Sequence, residues 1–214
     1  MDLKELKYGN PTQEQYEIIG HNTPLSVLFE QLSKITPPEN DSDLVRSELN
    51  TIVDYLKIIN DSDNEEFLLR YKAYDKALVQ TLSSMFKAKG VDILGYAEEV
   101  IKDISALIYQ LKYHHQRPRP YQLAYYKKLK LFPHKSDTAL SPSFPSGHTV
   151  QAYVLLNVIS SKNPELTSFC ENLLTDIANS RLYLGLHFPS DNDYAITVGE
   201  AIIKNREFSK KHNI

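Results

Sequence analysis

The chain is poor in cysteine, in glycine and in long apolar runs. Cys170 is its one cysteine among 214 residues, so no internal disulfide can form. That fits a reducing compartment. No apolar run nears the ~20 residues a membrane helix needs. The longest weakly polar stretch is Val150 to Ile159, so a soluble protein without membrane insertion is expected. The opening MDLKELKYGNPTQEQYE lacks the apolar centre of an export signal, and the expected location is cytoplasmic. Charges nearly cancel at −3, leaving no global field to favour nucleic acid or an acidic membrane. Alternating β-branched runs, internal repeats and low-complexity tracts are missing. Glycine is scarce, at seven residues, so each glycine between polar residues draws notice.

What is present reads as an all-α single domain over residues 1–214. Asn22-Thr23-Pro24 reads as a cap leading into LSVLFEQLSKI. TPPENDSD, residues 36 to 43, breaks the chain and caps the next helix. In that helix Leu44, Val45, Leu49, Ile52, Val53 and Leu56 recur at helical spacing. One further helix is expected through Phe67, Leu68, Tyr71, Leu78, Leu82 and Met85, ended by Gly90, and another from Ile93 through Lys112. Asn163-Pro164-Glu165 opens a later helix and Ser190-Asp191 the last one, while 121–144 reads as loop. Residues 1–111 carry no motif and read as scaffold and a lid; chemistry-bearing residues fall within 112–205.

One stretch breaks the charge balance. Between Lys102 and Lys135 the bases are Lys102, Lys112, Arg117, Arg119, Lys127, Lys128, Lys130 and Lys135, against Asp103 alone. Tyr109, Tyr113, Tyr121, Tyr125, Tyr126 and Phe132 are interleaved. A solvated face, a nucleic-acid patch with stacking aromatics and a local phosphate pocket all fit this composition. The spacing around Arg117-Pro118-Arg119-Pro120 favours the pocket, although two prolines after a lysine equally fit a plain helix exit. The prolines disfavour helix at the residues before them, so Arg119 is held on a stiff extended segment just past the helix of Lys112. A guanidinium that grips two phosphate oxygens gains from being placed in advance.

FPSGHT, residues 144 to 149, precedes a helical apolar pattern at Val150, Tyr153, Val154, Leu155 and Val158. Ser146 or Gly147 therefore sits at a helix N-terminus, where unpaired N–H groups and the dipole attract anions. Gly147 permits close approach, Ser146 can cap or donate, and His148 faces the same place. An ordinary N-cap beside a surface histidine satisfies the string equally. In SRLYLGLHFPSD, residues 180 to 191, Arg181 precedes His187 by six, and Asp191 follows four later. A histidine nucleophile needs one free nitrogen and a partner on the other, which a carboxylate supplies. A capped helix with a paired surface arginine reads from the same letters. Together the three stretches hold what one phosphate requires.

Lys112, six residues, Arg119-Pro120; Pro145-Ser146-Gly147-His148; and Ser180-Arg181, five residues, His187, three residues, Asp191: this resembles the three-part signature of the type 2 phosphatidic acid phosphatase and vanadium haloperoxidase superfamily. All eleven identities are present and correctly spaced within each part. PSGH alone would arise by chance in about one in a thousand chains of this size; the full set is far more specific. Arg-Pro-Arg-Pro, Gly185, Asp193 and Ala195 add similarity to soluble bacterial class A acid phosphatases. The resemblance implies a helical bundle with a phosphate site between helices. Lys112, Arg119, Arg181, Ser146 and Gly147 would bind the phosphoryl oxygens, His187 attack phosphorus, Asp191 orient it, and His148 move the leaving-group proton. It implies a small phosphorylated substrate, phosphate or vanadate as site ligands, and no metal or other cofactor. A vanadate-dependent haloperoxidase is the enzymatic alternative, and a nucleic-acid-binding module the non-enzymatic one.

Overall fold

A computed structural model describes residues 2–214. Its α-helices are α1 (Gln13–Ile19), α2 (Phe29–Leu32), α3 (Asp43–Ile59), α4 (Glu65–Lys76), α5 (Leu78–Lys87), α6 (Leu94–His115), α7 (Pro120–Tyr126), α8 (Gly147–Lys162), α9 (Thr167–Tyr183), α10 (Pro189–Lys204) and α11 (Arg206–His212). No strand occurs among the described residues. Among them, too, no helix is long and apolar enough to cross a membrane.

Helix α8 sits at the centre, packed against α9, α10 and α6. Its composition explains this, because Val150, Ala152, Val154, Leu155, Leu156, Val158 and Ile159 are buried on several faces rather than along one stripe. Gly199 of α10 lies directly against the Tyr153 ring of α8, where a Cβ would collide. Long α6 buries Ala97, Val100, Ile104, Leu107 and Leu111 at helical spacing and stops at Gln116, whose φ of 51° is left-handed. Helix α3 is capped by the Ser42 hydroxyl, which accepts from the Val45 N–H at 3.3 Å. A second apolar cluster joins its Val45, Leu49 and Ile52 to Leu123, Leu131 and Phe188.

Several expected elements differ. The helix expected from Phe67 to Met85 is two helices, broken at Ala77 with φ −154° and ψ 65°. No glycine or proline marks the break; tertiary bonds made by Asp75, described below, accompany it. Residues 24–28 form a 3₁₀ turn before short α2. The segment read as loop holds α7, entered through Pro120 at its first position. The last expected helix opens at Pro189, one residue early, and α11 follows it, capped by Asn205.

Candidate active site

The candidate residues converge because each lies at a helix end. Lys112 is in the last turn of α6, Arg119 immediately before α7, Gly147 and His148 in the first turn of α8, and Arg181 near the end of α9. His187 lies in the link to α10, and Asp191 in that helix's first turn. Lys112, Arg119, Gly147, His148, Arg181 and His187 line one cavity of about 470 Å³. Asp191 and Ser146 stand behind its wall, both fully buried.

His187 and Asp191 are paired as their spacing suggested. The His187 Nδ1 lies 3.1 Å from Asp191 Oδ2. A carboxylate can only accept, so Nδ1 is the donor and Nε2 keeps its lone pair. Burial, with the Arg119 charge adding to it, holds His187 well below the usual histidine range and therefore neutral. Arg119 Nη1 stands 2.8 Å from Nε2 and donates to that lone pair. The arginine thus covers the very nitrogen that would attack.

The cations divide into two kinds. Arg181 donates from Nη2 to Asp75 Oδ1 at 2.8 Å, yet its Nε and Nη1 are buried with no partner among the described residues. Two orphaned donors on the cavity wall mark a place for an acceptor. Lys112 donates to the Pro142 carbonyl at 2.6 Å, and Arg119 to the carbonyls of Ser141 and Leu186 at 2.8 and 2.9 Å. Neither pairs with a carboxylate among the described residues. Burial pulls Lys112 well below the usual lysine range and Arg119 down to about 10. Two charges without counter-ions complement a dianion.

Of the two uses read for Ser146, the cap is not made: its hydroxyl bonds the Thr149 hydroxyl at 2.8 Å. Gly147 has no left-handed φ, and a Cβ there would meet Lys112 Cε at 3.5 Å, an ordinary contact. Its bareness keeps room over the first N–H groups of α8. His148 places Nε2 3.3 Å from the Asp75 carbonyl, which can only accept, so Nε2 carries the hydrogen. Burial and Arg181 drive His148 down to about 3.

Three residues of the site had no assigned part in the sequence reading. Arg117 lies over the Phe188 ring at 4.0 Å and donates from Nη1 to Asp191 Oδ1 at 2.5 Å and from Nη2 to Glu48 at 3.2 Å. Glu48 in turn accepts from the Ser190 N–H at the start of α10 at 2.7 Å. Burial by itself would raise the Asp191 carboxyl; Arg117 and His187 outweigh it and hold the group below the ordinary range. Asp75 accepts from Arg181, Ser136 and Thr138, and the α4–α5 break frees its carbonyl for His148 and Thr138. The Arg-Pro-Arg-Pro string was a signal for Arg117; Glu48 and Asp75 have no local signal. Among the described residues no group of three or more His, Cys, Asp or Glu could hold a metal.

The family model described as the PAP2 superfamily matches residues 99–205, half of the chain. The chain belongs to the PAP2 superfamily. As a member of this phosphatase family it is an enzyme, a phosphoric monoester hydrolase. Among solved structures, this PAP2 chain is similar in fold to a transmembrane PAP2-type phosphatidylglycerolphosphate phosphatase from Bacillus subtilis. The TM-score is 0.55 at 20% identity, covering 88% of this chain and 96% of that one. No curated protein matches it by sequence. The PAP2 match begins at residue 99, so Glu48 and Asp75 reach the site from outside it.

Proposed function

We propose that this PAP2 chain is a metal-independent phosphatase of small phosphomonoesters, working in the cytoplasm through a phosphohistidine and related most nearly to class A acid phosphatases. The observation that carries this reading is the neutral His187, backed by Asp191, in a cavity where Lys112 and Arg119 lack counter-ions and Arg181 offers unpaired donors. A bound phosphoryl group takes the donors of Arg119 onto its oxygens and uncovers Nε2. The Nε2 lone pair then attacks phosphorus, a P–N bond forms, and the bond to the leaving oxygen breaks. His148 has its hydrogen on Nε2, tied to the Asp75 carbonyl; as the phosphoryl charge enters the cavity, Nδ1 takes a proton from the singly protonated phosphoryl group and passes it to the leaving oxygen. Water next attacks phosphorus, gives a proton back to His148, and the P–N bond breaks. The fixed cations meet the charge that develops, the role a metal fills elsewhere.

The test is phosphate release from a panel of phosphorylated metabolites, with EDTA present. Activity is expected to survive chelation and orthovanadate to inhibit competitively, because its five-coordinate adduct on His187 resembles the transition state. Activity lost in EDTA and restored by magnesium or zinc sinks the mechanism.

A further inference from the structure

Part of the basic, aromatic stretch is not used by the phosphate cavity. Lys112, Arg117 and Arg119 turn inward, whereas Lys128 and Lys130 are exposed. So are Tyr125 and Phe132, at 78% and 79%. These four line a second groove of about 650 Å³, floored by Leu6, Leu129, Leu131 and Pro133. No acidic residue lines it, in a chain whose net charge is −3. Lys127, in the adjoining groove beside Arg46, and both exposed lysines make no ion pair among the described residues. Packing does not explain the outward aromatics: α7 is already anchored by buried Leu123 and Ala124.

We propose that this face, α7 and the residues through Pro133, docks on an anionic lipid surface. The chemistry is that of an interfacial anchor. Aromatic rings and leucines enter the headgroup boundary, while lysines lie along it and reach the acidic headgroups. A nucleic-acid strand fits less well. Base stacking needs open ring faces, but the Tyr125 and Tyr126 rings meet edge to face at 86°, and the leucine floor offers bases nothing to bond. The docking face is distinct from the chemistry, although α7 begins directly after Arg119. It does not depend on the phosphohistidine reading.

The experiment is sedimentation of the full chain with vesicles of phosphatidylcholine, alone or with about one-third phosphatidylserine. Partition is expected onto the acidic vesicles only, falling several-fold from low to physiological salt. Each lysine near such a surface is worth about fivefold, so Lys128→Gln/Lys130→Gln should weaken binding by ~10-fold or more. Tyr125→Ser/Phe132→Ser should weaken it too. Both variants should keep the parent's melting temperature and phosphatase rate, which separates lost docking from lost folding. Absent binding, or equal partition onto neutral vesicles, overturns the proposal. So does a single-stranded oligonucleotide, or a second copy seen by light scattering, bound through these side chains without vesicle binding.

Discussion

At the scale of single residues, the decisive relation is between Arg119 and the two histidines. Arg119 rests on the His187 lone pair and must exchange it for substrate oxygens. A lysine can keep charge but not the fork that makes this exchange. Arg119→Lys and Arg181→Lys are each expected to cut kcat/KM by about 10²-fold or more, the scale of one preorganised donor. Near-normal rates in both variants mean that the oxygens bind elsewhere. The histidines separate by leaving group. His187→Ala should abolish turnover on every ester. His148→Ala should be nearly inactive on alkyl phosphates, whose leaving oxygen needs a proton worth about 10²–10⁴-fold. It should still release one nitrophenolate per site in a burst, then stall with acid-labile phosphate on His187. Quench-flow with peptide mapping reads both. A burst kept by His187→Ala and lost by His148→Ala reverses the assignment.

At the scale of elements, the site depends on helix ends held in register, and the tightest contact is α10 on α8. Gly199→Ala drives a methyl into Tyr153, which is partly buried against the core. The expected cost is about 1–3 kcal/mol, typical of overpacking. A melting curve should show it, with kcat little changed because no cavity residue moves. An unchanged melting temperature would mean that Tyr153 turns aside freely. Legibility in the sequence follows the same geometry. Lys112, Arg119, His148 and His187 were readable because each sits within a few letters of a proline, a cap or a partner, and Arg181 because it stands six residues before His187. Asp75 and Glu48 were not, since their partners Arg181 and Arg117 lie 106 and 69 residues away. The break at Ala77 was hidden for the same reason: local propensity favours one helix, and bonds to distant Arg181, Ser136 and Thr138 accompany two. Helix α7 was hidden because seven residues with three tyrosines show no clear helical stripe; its buried Leu123 and Ala124 meet α3.

At the scale of the molecule, several histidines are kept neutral by burial. His115 is lowered to about 4 and His148 to about 3, each chiefly by burial, and His187 is held well below its usual range. The unfolded chain binds protons at these positions from about pH 6.5. The folded chain refuses them until its own lower values, so the stability they confer is whole above about pH 6.5 and drains as pH falls towards 4 and 3. Asp75 and Asp191, both held below the carboxylate range, add to the loss at still lower pH. Denaturant midpoints should therefore stay level from pH 8 to about 6.5 and fall from there to pH 4. Inorganic phosphate should offset the fall more than chloride of equal ionic strength, by about 2.7 kcal/mol at a hundred times its Kd. A flat profile, or equal protection by chloride, counts against both the buried neutral rings and the anion site.

The two cations without counter-ions have a consequence for the reaction's end. Lys112 and Arg119 are placed by backbone carbonyls, and on the proposed reading they meet the phosphoryl group alone, so their attraction does not distinguish substrate from freed phosphate. What tells the two apart is the remainder of the ester. Hydrolysis removes that part and leaves the most strongly attracted fragment behind. Exit of phosphate is then the expected slow event, and turnover is expected to answer to the surrounding phosphate pool: brisk where phosphate is scarce, and throttled by its own product where phosphate is abundant.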